Sequence, residues 1–235
     1  MKHIFIIIIS LFTISCSDKV VPIGLRSTIK EIDKNLNDTV KYDFKITPER
    51  IATTKHHFGL GRGLRNEKGL WSGSLLQTYF KLNGIKHADD MSSIILETYH
   101  RKLNDKPIRF REQKKYYKEY WKVAQLEEET FKKWWDTNNS KTELDSLKQI
   151  YFSNFSKDRK ILGSLHAWTP IENGHSEGTD VDIIGNIIEK DDYTLKIKIV
   201  KLGSYEDKYE LLYKIEDTIE MHIYDVFLIP PQNEN

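Results

Sequence analysis

Apolar residues recur at spacings of three and four through roughly the first two thirds of the chain, and at spacings of two through the remainder. The change falls near Arg159, predicting helices before it and strands after it. Thr47-Pro48 reads as a helix start, because threonine can cap free N–H groups and proline tolerates the first helical position. Ile51 and Phe58 lie on one face of this helix. It is expected to end by Gly59, since Gly59, Gly61 and Gly63 give the backbone more freedom than a helix tolerates. A second helix is predicted from Ser72 or Ser74 to Leu82, with Leu75, Leu76, Tyr79 and Phe80 as its apolar face and Asn83-Gly84 as its stop. A third follows Asp89-Asp90, carries Met91, Ile94, Ile95, Thr98 and Tyr99 on one side, and closes at Asn104-Asp105 and Pro107. Phe110, Tyr117, Trp121, Ala124, Phe131 and Trp135 trace one seam of a long fourth helix, broken only at Glu128. Ser140 and Glu143 have capping-box spacing, and Leu144, Leu147 and Tyr151 give the face of a fifth helix.

Beyond Arg159, Leu195, Ile197 and Ile199 alternate with Lys196, Lys198 and Lys201, the pattern of a half-buried strand. Val181-Asp182-Ile183 begins another such run, and Gly185 marks a bulge or a close approach. Ile219, Met221 and Ile223 alternate until the phase slips to Val226 and Leu228, which again predicts a bulge. The fold class expected is α+β: an N-terminal helical domain of about five helices over 43–156, then a small antiparallel β barrel or sandwich over 157–235.

The N-terminus changes the picture from fold to location. Lys2 precedes an apolar run from Ile4 to Ile14, too short to span a bilayer, which takes about 20 residues. It fits the hydrophobic region of a secretory signal over residues 1–15. Cys16 is the only cysteine, which excludes an internal disulfide and any cysteine-based zinc site. Ser15-Cys16 resembles a bacterial lipobox, with Thr13 where that motif usually has leucine. The resemblance implies a lipid-modified (palmitate-bearing) Cys16 and, with Ser17 after the cysteine, sorting to the outer membrane. Residues 16–42, polar and with little periodicity, read as a tether, with a short strand or helix around Ile29 to Leu36. Partners expected on this reading are the membrane through the lipid, and an envelope protein or glycan.

Charge narrows the function further. The chain carries 36 Lys and Arg against 35 Asp and Glu, so no basic surplus favours nucleic acid. The balance is local rather than uniform: residues 101–122 hold nine basic and three acidic side chains, and residues 171–235 hold six lysines and fifteen acids. Mutual attraction or simple solvation is the preferred explanation. The sharper one is a basic helix that meets anionic headgroups or glycan near the anchor.

Residues 56–103 concentrate glycines, histidines and a paired aspartate between two amphipathic segments. His57, Gly59, Leu60, Gly61, Arg65, Asn66, Gly69, Leu70, Trp71, Gly73, Ser74 and Leu76 are followed by Gly84, Ile85, His87, Asp89, Asp90, Met91 and Ser92. This H-x-G-L-G…R-N…G-L-W-x-G-S…G-I-x-H-x-D-D-M-S run resembles the signature of an uncharacterised bacterial domain family, which implies no activity. His57, His87, Asp89 and Asp90 are residue types suited to acid–base or metal chemistry, but their spacing matches no helical metal motif. Asp89 and Asp90 also sit where a helix needs an N-cap and meets its positive dipole end, and Leu70 and Trp71 read as core anchors. Ser72 and Ser74 lack a nucleophile elbow. Arg65 is expected to bond carbonyls or an aspartate. Tyr116 and Trp134 lie off the seam of the fourth helix and are the aromatic candidates for stacking on a sugar. No cofactor or metal is expected. The leading functional expectation is a non-enzymatic binding module of the cell envelope. A hydrolase using the His57/His87/Asp89/Asp90 cluster, metal-dependent or acid–base, is the alternative, and a structural spacer is the third.

Overall fold

A computed structural model describes residues 20–138, 141–170 and 176–231, so the expected signal segment and Cys16 lie outside the described residues. The chain is α+β and divides into two compact units, each drawn from two stretches of sequence: 1–36 with 47–147, and 37–46 with 148–235.

The first unit is helical. Its helices are α1 (Arg26–Asn35), α3 (Glu49–His56), α4 (Arg62–Glu67), α5 (Leu75–Leu82), α6 (Ala88–Leu103), α7 (Phe110–Ala124) and α8 (Glu128–Asn138). Helix α6 is the axle: α1, α3, α4, α5 and α7 all pack on it. Met91, Ile94, Ile95, Leu96 and Tyr99 of α6 are fully buried, with Leu25, Ile29, Ile51 and Phe80 closing the core around them. Burial of this kind, roughly 25 cal/mol per Å² of apolar surface, holds the unit together.

Several expectations are corrected here. The helical unit contains more helices than the five expected, one of them α1, where a short strand or helix around Ile29 to Leu36 was expected within the tether; α2 (Asp38–Ile46) begins inside the expected tether and belongs to the second unit. The α3 helix does not stop at Gly59. It widens into a π turn over His57–Gly61 and continues as α4. The glycine allows this because a Cβ at Gly61 would stand 3.2 Å from the Arg65 Nη1 that crosses it. Phe58 and Trp71, expected in the core, are 75% and 60% exposed. The predicted single helix over 110–135 is two, α7 and α8, separated at Gln125–Glu127. Asp89 and Asp90 occupy the first turn of α6, with His87 at the cap position, so they meet the helix dipole without capping.

The second unit is built on a five-stranded antiparallel sheet, β1 (Lys160–Trp168), β2 (Gly178–Asp191), β3 (Thr194–Leu202), β4 (Thr218–His222) and β5 (Phe227–Leu228), in the order β4-β3-β2-β1-β5. Helix α2 packs on β5, and Leu228 donates its backbone N–H to the buried Asp43 Oδ1 at 3.0 Å. The second half of α9 (Lys141–Ser153) also belongs here and buries Tyr151. Alternation on β3 is as expected, with Leu195, Ile197 and Ile199 fully buried. Gly185 is both a register shift and a close approach: a Cβ there would meet Ile197 Cγ2 at 2.2 Å.

The sheet is not a closed barrel. Its two edge strands, β4 and β5, do not pair. The expected bulge after His222 is a 3₁₀ turn over Ile223–Asp225 that carries the chain from one edge to the other. Five residue steps reach about 18 Å at most, whereas four inter-strand spacings in a flat sheet span about 19 Å. The sheet therefore curls. Gly163 on β1 confirms it, since a Cβ there would stand 3.1 Å from Met221 Cε on β4.

Candidate functional site

Almost every residue of α6 from Ala88 to Arg101 is buried. The exceptions are Asp89, Ser93, Glu97 and Arg101. A spacing of four advances about 400° around a helix, so these four form one polar strip on an otherwise enclosed helix. Burying a polar or charged side chain without partners costs several kcal/mol, and a central helix tolerates such a strip only where the packing opens.

It opens into a cavity of about 600 Å³ in the helical unit. Ser93, Glu97 and Arg101 form its floor, α3 contributes Glu49 and the π turn His57, and Tyr116, Tyr117 and Trp135 supply aromatic walls. Arg101 makes a bidentate pair with Glu49, at 2.6 and 2.8 Å, while its Nη1 donates to the Ile108 carbonyl at 2.8 Å. Burial pushes the Glu49 carboxyl up, but hydrogen bonds from His100 and Arg101 outweigh it and hold the group at about 2. Glu97 has the opposite balance. Burial dominates, Arg101 offsets only part of it, and the carboxyl is pushed up to about 7. The Tyr117 hydroxyl lies 3.5 Å from Glu97 Oε1, and burial together with Glu97 raises that phenol well above its ordinary value. Near neutral pH the cavity thus holds one carboxyl fixed as an anion and a second that shares its population between acid and anion.

The residues singled out in the sequence are distributed among three places. His57 borders the cavity, with Nε2 at 3.5 Å from Asp89 Oδ1. Burial first, and then the neighbouring Arg65, lower the His57 imidazole, against the pull of Asp89. Arg65 is buried and ties this end of the strip together: Nη1 donates to Ser92 Oγ at 2.9 Å and to the His57 carbonyl at 3.4 Å, and Nε lies 3.3 Å from Asp89. His87 and Asp90 belong elsewhere. The His87 ring stacks on Trp121 at 3.6 Å, and Trp121 Nε1 donates to Asp90 Oδ2 at 2.6 Å. Burial raises the Asp90 carboxyl despite that bond. The four-residue cluster is therefore two pairs, His57–Asp89 and His87–Asp90 with Trp121 between the latter. Among the described residues no group of three or more His, Cys, Asp or Glu side chains is placed to hold a metal ion.

Tyr116 lines the cavity as a wall. Trp134 instead packs into an aromatic cluster between α7 and α8, with Tyr120 at 5.4 Å and Tyr116 at 5.9 Å. It is Trp135, assigned by spacing to the buried seam, that reaches the cavity and stands 42% exposed. Sequence reasoning missed Glu49, Glu97 and Arg101. One signal was available: Glu97 and Arg101 are four apart and continue the same strip as Asp89 and Ser93. Their partner Glu49, half a domain upstream, had no local signal.

Residues 21–103 match the family model described as Domain of unknown function (DUF6794). The match covers the 57–92 run and the α1–α6 segment, but stops short of α7, α8 and the whole sheet. Neither the characterised proteins nor the solved structures offer any match. What the comparisons add is a domain of unknown function over 21–103, within which lie Glu49, His57 and all four residues of the α6 strip.

Proposed function

We propose that this chain is a lipid-anchored protein of the bacterial cell envelope, held at the outer membrane through Cys16, whose helical unit binds a glycan in the cavity beside α6. One observation carries the binding reading: the opening along α6 at Ser93, Glu97 and Arg101 exposes carboxyl and guanidinium groups between aromatic walls. Hydroxylated rings are held by that combination, with aromatic faces covering their C–H surface and carboxyl groups accepting or donating hydrogen bonds at the rim. An envelope protein that presents such a group is the natural partner if the free glycan does not bind. Among the described residues no helix is long and apolar enough to cross a membrane, and the anchor reading rests on the Ser15-Cys16 sequence alone.

The test is thermal unfolding of the purified chain with neutral and amino-sugar oligosaccharides. A ligand at a hundred times its Kd stabilises by about 2.7 kcal/mol, and Trp135→Ala with Tyr116→Ala should abolish the shift. Absence of a shift with every oligosaccharide, together with no envelope protein recovered by photo-crosslinking from position 135, sinks the reading. Cell fractionation of Cys16→Ala separately tests the anchor.

A second reading, acid–base hydrolysis, is favoured by one observation. Glu97 near 7 is poised to donate or accept a proton, and His57 with Asp89 stands at the same cavity. An enzyme would lose turnover in His57→Ala or Glu97→Gln while staying folded.

A further inference from the structure

Three of the most exposed large aliphatic side chains in the helical unit are Ile23 (79%), Leu75 (90%) and Leu82 (85%). Leu75 and Leu82 flank Tyr79 on α5 at minus four and plus three, so all three project from one side of that helix. Ile23 joins them through its neighbour: Gly24 lies so flat on the Tyr79 ring that a Cβ there would come within 2.6 Å of it. Trp71, just before α5, is also exposed. An apolar face of this kind is uncommon on a free surface.

The charge along the two segments that carry it is of one sign. From Gly69 to Ala88 the only Lys, Arg, Asp or Glu side chains are Lys81 and Lys86, and from Val20 to Lys30 they are Arg26 and Lys30. Helix α7 adds Lys114, which donates to Asn83 Oδ1 at 2.8 Å, and Lys118, whose side chain runs across Gly84 just beyond Leu82. Burial, and then the neighbouring Lys118 and Arg111, hold the Lys114 ammonium below its ordinary range. Apolar side chains with a mainly cationic rim, in which Glu119 and Asp90 are the acids beside Lys118, match the composition of a surface that sits at a lipid interface.

We propose that the face carrying Ile23, Leu75 and Leu82, rimmed by Lys81, Lys86, Lys114 and Lys118, is a membrane-contact surface that lies on anionic phospholipid headgroups. The proposal rests on the anchored reading above for one element, the tether. Cys16 stands seven residues before Ile23, a reach of at most about 25 Å, so a lipid at Cys16 holds this face within one domain diameter of the bilayer. The charge complementarity selects lipid over a second copy of the chain, because two such cationic faces repel.

The test uses the full chain carrying Ile23→Cys, Leu82→Cys or, as an exposed control on α8, Lys132→Cys, each labelled with an environment-sensitive fluorophore. Vesicles are phosphatidylcholine with or without phosphatidylglycerol, some with brominated acyl chains. Labels at 23 and 82 should shift to the blue and be quenched by brominated lipid, more with phosphatidylglycerol and less at high salt, while the label at 132 stays in water. In a Cys16→Ser chain, Leu75→Asp with Leu82→Asp should lower vesicle partitioning about tenfold or more. Flotation reports the anchor separately. A chain that floats with labels 23 and 82 still in water overturns the face and leaves the anchor standing. Blue-shifted labels in a chain whose Cys16 takes up the fluorophore support the face and remove the anchor. Concentration-dependent self-association that shifts the same labels without vesicles overturns the proposal in favour of a dimer.

Discussion

Glu97→Gln should make this protein more stable, by a margin that grows as pH rises from about 4.5 to about 7. The Glu97 carboxyl is pushed up from 4.5 to about 7 because burial disfavours its anion. A carboxyl whose folded value exceeds its unfolded value makes the native state bind the extra proton. Stability therefore falls as pH rises through the interval from about 4.5 to about 7. At 1.36 kcal/mol per unit, ionisation of Glu97 costs the folded state about 3 kcal/mol above pH 7, an upper figure because the side chain is only partly enclosed. Glutamine keeps the shape and an oxygen to accept from the Tyr117 hydroxyl, without the charge. The variant should match the parent at pH 4 to 5 and exceed it by as much as ~3 kcal/mol at pH 8, on the order of 10 °C in Tm. Thermal unfolding from pH 4 to 8.5, followed by far-UV circular dichroism, reads the difference directly. Two curves that run parallel across the whole range would falsify the burial of this carboxyl and the acid–anion balance assigned to the cavity.

Other substitutions test neighbouring parts of the structure. Arg101→Ala removes both bonds to Glu49 and the bond to the Ile108 carbonyl, and should cost about 3 kcal/mol at pH 7 in a urea titration. Because Glu49 is held at about 2 against an ordinary 4.5, its stabilisation is complete above about pH 4.5 and vanishes toward pH 2. The Arg101→Ala deficit should shrink as pH falls through that window, and a pH-independent deficit argues against the pair. Trp121→Phe keeps the stacking surface for His87 but strands Asp90, with an expected loss of about 2 kcal/mol. Chemical denaturation at pH 7 measures it, and a neutral result would mean that Asp90 is already satisfied. Gly185→Ala forces a Cβ against Ile197 and the Lys198 carbonyl, costing about 2–3 kcal/mol. Gly59→Ala, with nothing within 4 Å of its Cβ position, is the control that should stay near the parent.

How far the sequence anticipates this structure depends on whether a residue's partners are local. The strands at Val181-Asp182-Ile183 and Leu195–Ile199 were legible because alternation reports a sheet face residue by residue, and Gly185 announced its close approach. The helix over Met91–Tyr99 was equally clear. Its being surrounded on nearly all sides was not, because Thr98, Ser92 and His100 look like surface residues until their neighbours are known. The π turn at His57–Gly61 was misjudged as a helix end, since glycine signals both breakage and closeness, and the second meaning depends on Arg65. Trp71 reads as a core anchor by its hydrophobicity, and Phe58 and Leu75 fall on apolar faces by spacing, yet all three are exposed, because apolar character inside is a rule that runs in one direction only. His57 and Asp89 do meet, while His87 and Asp90 turn to Trp121, a residue 31 positions past Asp90. Glu49 and Arg101 stand 52 positions apart, beyond any spacing rule.

The interleaving of the two units has a consequence for how the chain folds as it is made. Helix α2 leaves the ribosome about 180 residues before Leu228, the strand residue whose N–H its Asp43 accepts. Until then its buried Asp43 and Phe44 have no sheet to cover them, and the helical unit must close around a loop whose own fold is unfinished. Contacts of such sequence separation slow folding and lengthen the time that apolar surface stays open to aggregation. A holding chaperone that shields α2 over that interval should raise the yield of folded protein.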